Sequence, residues 1–319
     1  MEKHTVSVVM CTYNGEKHLK EQLDSILSQT YPINELVIQD DCSTDSTLAI
    51  LQKYAQADKR IKVHVNPHRL GFNHNFSSAF LKATGDFVAC SDQDDIWVKT
   101  KIERLMECIG DASLIFHNSI TFTQNIQHTG KRRHSESFRY DSASVLLKLF
   151  ICGHECLFRR EILSLYQKAY EREPDICYDQ LLMITATAAG PTRYLDEDLV
   201  FWRRHPDASS YLTSGRSYST STGFYAALKA MKNSQKREIT RRFFQAFSSY
   251  DFSDSRTNQI VTNLSSGTWG GGGVFKTCLI CGLHERSIFY PHLTPIRAFV
   301  KSFFTPLYFI RDCTRYLIF

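Results

Sequence analysis

The front of the chain switches repeatedly between two hydrophobic periods. Val6-Ser-Val-Val-Met-Cys-Thr-Tyr13 is a short, β-branched apolar run bounded by Asn14-Gly15, the pattern of a buried strand. Leu19, Leu23, Ile26 and Leu27 then recur at helical spacing until Tyr31-Pro32 ends the helix. Glu35-Leu-Val-Ile-Gln39 predicts a second strand that closes on Asp40-Asp41, and Ser43-Thr-Asp45 offers capping oxygens for a helix through Ile50 and Tyr54. Ile61-Lys-Val-His-Val65 predicts a third strand, followed by a helix over residues 73–83 that Gly85 stops. Asp86-Phe-Val-Ala-Cys90 predicts a fourth strand, ending in Ser91-Asp-Gln-Asp-Asp95. Ile102, Leu105, Met106 and Ile109 line the next helix, and Ser113-Leu-Ile-Phe116 predicts a fifth strand. Strands separated by helices imply an α/β fold with an open, mostly parallel sheet. Polar clusters at strand C-terminal ends sit where such sheets bind ligands.

Composition supports a globular chain: 43% of the 319 residues are hydrophobic and 22% are charged, which excludes disordered and collagenous classes. The ten cysteines are scattered, many within apolar runs, so a reducing compartment is expected. The first residues show no signal-peptide pattern and no run of about 18 apolar residues occurs, so the expected location is cytoplasmic, with peripheral contact at the inner face of the cell membrane kept open. The net charge of +5 is uneven. Residues 1–206 carry 24 basic and 27 acidic side chains, and residues 207–319 carry 14 and 6. No zinc-finger or RNA-binding signature accompanies the excess of base, so nucleic acid is not an expected partner.

Chemistry gathers at the strand ends. Ser91-Asp92-Gln93-Asp94-Asp95-Ile96-Trp97 holds three carboxylates in four residues, which repel one another unless a cation sits between them. In extended backbone Asp92 and Asp94 point the same way, and such hard oxygen ligands suit Mg²⁺ or Mn²⁺ bridging to a diphosphate. The competing reading is that all three acids decorate a helix N-terminus, with Asp95 as its cap. Asp40-Asp41-Cys42-Ser43-Thr44-Asp45 closes the second strand, where an acid commonly accepts hydrogen bonds from a nucleoside, or where a turn and cap are simply needed. Thr12-Tyr13-Asn14 ends the first strand; its ring is placed to stack on a base or to fill core.

Together these clusters resemble family 2 glycosyltransferases of the GT-A fold, over about Val6 to His205. Val9-Met-Cys-Thr-Tyr-Asn-Gly15 looks like that family's opening motif. Gln39-Asp-Asp-Cys-Ser-Thr-Asp45 looks like its Asp-Asp-Gly-Ser-x-Asp turn with Cys42 in place of glycine, and Asp92-Gln-Asp-Asp-Ile-Trp97 looks like its metal motif. Ile176-Cys-Tyr-Asp179-Gln-Leu-Leu182 and Tyr194-Leu-Asp-Glu-Asp-Leu-Val-Phe-Trp-Arg-Arg-His205 resemble the rhamnosyltransferase-like branch. The resemblance implies a GT-A catalytic domain over 1–206 and an inverting transfer of a sugar from a nucleotide-diphosphate donor (dTDP-rhamnose or a UDP-sugar). The acceptor would be a glycan or lipid-linked molecule of cell-surface polysaccharide synthesis. It also implies roles. Asp179 is the catalytic base. Thr12, Tyr13, Asn14, Asp40, Asp41, Ser91, Asp92 and Arg203 bind the donor. Asp92, Asp94 and His205 hold Mn²⁺ or Mg²⁺, and Gly153, His154 and Trp97 face the acceptor. Asp179 read without the family is a helix N-cap, and His205 a strand-end surface histidine before Pro206.

The competing functions are a sugar-nucleotide nucleotidyltransferase and a non-catalytic sugar-nucleotide-binding protein. The first needs a Gly-rich, Arg-containing loop after the first strand, which Thr12-Tyr-Asn-Gly-Glu16 is not. The second has no need of Asp92, Asp94, Asp179 and His205 together. Cys278-Leu-Ile-Cys281 has zinc-like spacing but no second ligand pair, so packed thiols are expected. Trp269-Gly-Gly-Gly-Gly273 lacks the Lys-Ser/Thr of a phosphate loop and reads as a flexible loop or hinge. Lys131-Arg-Arg133 reads as a solvated basic turn. Residues 207–319 form a helical, basic extension. Within it, residues 296–310 carry an apolar stripe flanked by Arg297, Lys301, Arg311 and Arg315, with Pro306 set to divide the helix. Residues 292–319 are thus compatible with lying on an anionic membrane surface, or with packing on the catalytic domain or another subunit.

Overall fold

The computed structural model describes residues 4–123, 125–127, 129–134, 139–206, 220–266 and 272–315. They fall into two compact units. The first comprises residues 1–138, 151–164 and 191–214. The second takes residues 139–150, 165–190 and 215–319, so two segments that the sequence reading assigned to the catalytic domain belong to the helical unit.

The first unit is built on one eight-stranded sheet. Its strands are β1 (Val6–Thr12), β2 (Glu35–Asp40), β3 (Ile61–Val65), β4 (Phe87–Ser91), β5 (Ile96–Trp97), β6 (Leu114–Phe122), β7 (Cys156–Arg159) and β8 (Thr192–Arg203). They lie in the order β3-β2-β1-β4-β7-β6-β8-β5. β1 to β4 pair in parallel, β7 runs antiparallel between β4 and β6, β6 and β8 are parallel, and β5 is antiparallel to β8. Helices α1 (Leu19–Leu27), α2 (Thr47–Ala57), α3 (Phe72–Phe80) and α4 (Lys101–Ile109) make the crossovers. Val6, Val8, Met10, Leu36, Ile38, Phe87 and Ala89 join one core with Leu23, Ile26, Ile102 and Leu105. Their neighbours Val9, Val37 and Val88, which alternate to the other face, are equally buried. Burial on both faces is why these strands read as unbroken apolar runs.

The structure departs from the sequence reading at several points. α3 stops at Phe80 because tight turns close on Ala79 and Phe80. α4 begins at Lys101 with Thr100 as its N-cap, five positions after Asp95, so the acidic triplet does not decorate that helix. β8 is twelve residues long, and only its end near His205 is expected from sequence, because Asp196-Glu-Asp198 interrupts its apolar pattern. Those acids are answered from neighbouring elements. Arg132 pairs with Asp196 and Asp198, each at 2.7 Å, and Arg104 with Glu197 at 2.7 Å. Of Lys131-Arg-Arg133, Arg132 and Arg133 are thus ion-paired, Arg133 with Glu155 at 3.4 Å, while Lys131 is exposed as expected.

The second unit is helical: α5 (Ser142–Leu147), α6 (Leu163–Arg172), α7 (Tyr178–Ala189), α8 (Thr220–Lys232), α9 (Ser234–Ala246), α10 (Ser255–Ser265), α11 (Gly273–His284), α12 (Arg286–Phe289), α13 (Pro295–Phe303) and α14 (Thr305–Asp312). Phe243, Phe244, Phe247, Phe252 and Phe309 are fully buried in it. Pro306 sits in the first turn of α14 and divides the tail as expected. Cys278 and Cys281 are buried free thiols. Of the glycine run, residues 269–271 lie outside the described residues, and Gly272 precedes α11 with φ +92°.

Candidate active site

The site grows from the C-terminal ends of β1, β2 and β4. Asp40 ends β2 fully buried. Its carboxylate accepts from Thr12 Oγ1 at 2.8 Å, Ser43 N at 2.9 Å and Ser43 Oγ at 2.6 Å. Asp41 accepts from Asn66 Nδ2, Leu70 N and Gly71 N at 2.7–2.8 Å, tying the β2 turn to the start of α3. Cys42 takes φ +63°, the left-handed conformation that the family's glycine adopts freely, and its thiol donates to Asn66 O at 3.2 Å. The turn therefore closes despite the substitution. Asn14, also at positive φ, donates its N–H to Ser43 Oγ and accepts from Thr44 N. Thr12, Asn14, Asp40 and Asp41 thus form one hydrogen-bonded lip.

Gln93 joins that lip to the acidic motif. It accepts from Tyr13 N at 2.9 Å and donates to Tyr13 O at 3.1 Å. A Cβ on Gly15 would stand 2.3 Å from Gln93 Oε1, so a larger residue there would displace the Gln93 amide from Tyr13. Arg69 lies over the Tyr13 ring at 3.9 Å from its centroid. Neither Gln93 nor Arg69 was singled out from sequence. Gln93 is the variable position of its motif, and Arg69 sits in a polar loop without a pattern.

After Ser91, which accepts from Gln22 Nε2 at 2.6 Å, the backbone leaves the sheet. Asp92 and Asp94 therefore do not share the simple alternation of a strand. Asp94 Oδ2 meets His205 Nε2 at 2.8 Å, whereas Asp92 Oδ2 meets His154 Nδ1 at 3.1 Å. Asp95 is fully buried. Its Oδ1 accepts from Arg203 N at 2.9 Å, while its Oδ2 lies 3.8 Å from His154 Nδ1 without a hydrogen-bond partner. Asp92, Asp95 and His154 offer ligand atoms within 4.8 Å of one another.

The electrostatics of this cluster are unbalanced. Burial raises the Asp94 carboxyl, Asp92 adds to the rise, and His205 opposes it. Burial likewise pushes Asp95 up to about 8 against the pull of His154, with Asp94 and Asp92 adding to the rise. Burial alone would lower His154, but Asp95 and Asp92 outweigh it and its pKa is raised. Asp95 Oδ2 and His154 Nε2 are buried without hydrogen-bond partners. Asp92, Asp95 and His154, with the orphaned buried Asp95 Oδ2 and His154 Nε2, form a donor set that fits a divalent cation, and the Asp94–His205 pair, which the family resemblance joined to Asp92 as ligands, falls outside that group.

The other expected residues are placed as follows. Gly153 and His154 lie in a buried 3₁₀ turn whose carbonyl at His154 accepts from Lys101 Nζ at 2.7 Å. Trp97 is only 3% exposed. Its pairing into β5 turns the indole into the core under Lys101, 3.6 Å from the ring centroid, so it presents no open face. Lys101 is itself fully buried, and burial lowers it to about 7 although Asp95 pulls the other way. Arg203 is 5% exposed and bound to Asp94 O, Glu21 and Asp95. Asp179 belongs to the helical unit, in the first turn of α7, where its Oδ1 accepts from Gln180 N at 2.8 Å.

The sequence profile of glycosyl transferase family 2 matches residues 7–166, the stretch that contains β1 to β4 and the acidic motif. The chain belongs to glycosyl transferase family 2. The chain is 34% identical over 122 residues to the UDP-Glc:alpha-D-GlcNAc-diphosphoundecaprenol beta-1,3-glucosyltransferase WfgD of Escherichia coli. It is 33% identical over 123 residues to the dTDP-rhamnosyl transferase RfbG of Shigella flexneri. These matches cover 38% and 37% of this family 2 chain, and 45% and 40% of the relatives' own lengths. Among solved structures, S. aureus TarS in complex with UDP-GlcNAc superposes with a TM-score of 0.60 at 18% identity, covering 98% of this chain and 89% of that one. The mannosyltransferase PcManGT from Pyrobaculum calidifontis, in complex with GDP-Man and Mn²⁺, superposes with a TM-score of 0.53 at 14% identity, covering 99% and 87%. At these identities the likeness is one of fold, and that fold is GT-A.

Proposed function

We propose that this family 2 glycosyltransferase transfers a sugar, with inversion, from a pyrimidine nucleoside diphosphate donor to a hydroxyl of a glycan or lipid-linked acceptor in cell-surface polysaccharide synthesis. The observation that carries the reading is the Asp94–His205 contact at 2.8 Å beside the part-buried Asp92–His154 pair, at the end of β4, next to β1, whose Thr12 joins Asp40 of β2 in the lip. The named relatives use UDP-glucose and dTDP-rhamnose respectively, which supports a UDP-sugar or dTDP-rhamnose as donor. The diphosphoundecaprenol in the name of the first supports a lipid-linked acceptor.

In this reading the lip of Thr12, Tyr13, Asn14, Asp40 and Asp41 receives the nucleoside. Asp94 and His205, with Asp92, would hold Mn²⁺ or Mg²⁺, as the Mn²⁺ in the archaeal structure supports. That cation would supply neutralisation of the charge developing on the leaving diphosphate. Asp179 takes the proton from the attacking acceptor hydroxyl as its oxygen bonds to the anomeric carbon and the diphosphate oxygen departs. A single displacement inverts the anomeric configuration. His154 and Gly153 lie beside Asp92 and border the acceptor side.

The basic extension supports peripheral contact with an anionic membrane. Ile296 is 80% and Val300 46% exposed on the face of α13 that also bears Arg297 and Lys301. No helix among the described residues is long and apolar enough to cross a membrane. Incubation with a panel of nucleotide sugars and Mn²⁺ tests the function. Release of UDP or dTDP that rises on adding a polyprenyl-diphosphate glycan supports it, and formation of pyrophosphate from a nucleoside triphosphate instead would replace it with nucleotidyl transfer.

A further inference from the structure

The family resemblance puts Arg203 at the donor diphosphate, but its surroundings give it another task. Its guanidinium is buried, 5% exposed, against the Phe122 ring with Cζ 4.4 Å from the centroid. Nε donates to the Asp94 carbonyl oxygen at 2.7 Å, and Nη2 pairs with the Glu21 carboxylate. The backbone N–H of the same residue donates to Asp95 Oδ1 at 2.9 Å. Arg203 therefore holds the Asp94-Asp95 turn twice, once by the main chain of Asp94 and once by the side chain of Asp95.

The same elements meet again two residues later. His205 reaches the Asp94 carboxylate, and its ring stands 5.1 Å from that of His18, the residue that precedes α1. Glu21 lies in the first turn of α1. Thus the end of β8 and the start of α1 enclose the acidic turn at two points, Arg203–Glu21 and His205–His18. A planar guanidinium is suited to this because its donors diverge at fixed angles, so one side chain can bind a carbonyl and a carboxylate at once. Burial of the group leaves almost none of it open to a ligand.

We infer that Arg203 is a positioning residue for the Asp94–His205 pair, fixing the acidic turn so that the two side chains can hold a cation together, and is not a ligand of the donor diphosphate. The inference rests on the proposed cation role of Asp94 and His205. Partners that orient metal ligands without touching the metal typically change metal affinity 10–100-fold when altered.

The test uses the full chain as wild type, Arg203→Lys and Glu21→Gln. Mn²⁺ binding is titrated by calorimetry, and then UDP or dTDP binding is titrated at saturating Mn²⁺. Arg203→Lys keeps the charge and loses the fork, and is expected to weaken Mn²⁺ binding roughly 10-fold while nucleotide affinity at saturating Mn²⁺ stays unchanged. Glu21→Gln, at a 59% exposed side chain that fold stability does not depend on burying, should weaken Mn²⁺ binding by a smaller factor and carries the test if the lysine variant does not fold. Unchanged Mn²⁺ affinity in the folded variants, or a fall in nucleotide affinity at saturating Mn²⁺, overturns the inference. A wild type that binds nucleotide but no Mn²⁺ removes the cation site itself and with it the proposed role of Asp94 and His205.

Discussion

His205 Nε2 lies 2.8 Å from Asp94 Oδ2, across 111 residues of sequence. The contact joins the end of β8, the second strand from one sheet edge, to the turn after β4 near the sheet centre. Burial raises the Asp94 carboxyl, Asp92 adds to the rise, and His205 and His154 oppose it, so an ionised Asp94 depends on cationic partners. The proposed divalent cation would be such a partner, which is the physical basis of the predictions about activity.

Replacing the proposed base separates binding from chemistry. Asp179→Asn keeps the size of the side chain and removes the proton acceptor. Transfer should fall by at least about 100-fold, while thermal stabilisation by donor and Mn²⁺ persists. Transfer at the wild-type rate in this variant removes Asp179 from the base role.

Cys42 is a non-glycine residue at φ +63°. Cys42→Gly should raise stability by about 1 kcal/mol, because the left-handed conformation costs a β-carbon roughly that much and the thiol's single weak bond offsets only part of it. Cys42→Val should be destabilising, since β-branching is worst at positive φ. Urea unfolding of the three proteins gives the order Gly, Cys, Val.

Glu35 gives the fold a defined acid sensitivity. Its buried carboxylate accepts from Ser7 Oγ, Thr84 N and Thr84 Oγ1 at 2.7–2.8 Å and pairs with Lys62. Burial would raise its pKa, but the bonds from Lys62, Ser7 and Thr84 outweigh that and hold it at about 2. A depressed carboxyl stabilises the fold above its unfolded pKa of about 4.3, and the contribution is lost as pH falls toward 2. Glu35→Gln should therefore lose about 3 kcal/mol at pH 7 and much less at pH 3. Urea unfolding at the two pH values checks it, and an equal loss at both contradicts it.

β1, β2 and β4 were readable because each is buried on both faces, so Val6–Met10 and Leu36–Ile38 show as strand-length apolar runs, and β3 was readable from its alternating Ile61-Lys-Val-His-Val65. Most of β8 was not, because its acids are satisfied by Arg104 and Arg132 from other elements, and pairing at such distance leaves no local period. β5 has two residues, too few to carry any period. The lip was legible from Asp40 and Thr12 at strand ends, and the Asp94–His205 partnership only from family pattern. A helix-cap role for Asp95 stays open in the sequence because nothing local reveals that a strand intervenes before α4, and its neighbour His154 is 59 positions away. Glu21 carried no signal, since an acid in the first turn of a helix already has a sufficient local reason.

The exposed face of α13 should bind anionic lipid. Wild-type protein is expected to sediment with phosphatidylglycerol vesicles and not with phosphatidylcholine vesicles, and Ile296→Asp with Val300→Asp should abolish the binding. Equal sedimentation of the double variant places the contact elsewhere.

The most direct test of the account is release of nucleoside diphosphate from UDP-sugars and dTDP-rhamnose in the presence of a polyprenyl-diphosphate glycan. It is measured for the wild type and Asp94→Asn, with Mn²⁺ and with EDTA. The account predicts acceptor-dependent release by the wild type with Mn²⁺, loss in EDTA restored by excess Mn²⁺, and at most a residual rate for Asp94→Asn. Undiminished release in EDTA and by Asp94→Asn would contradict it.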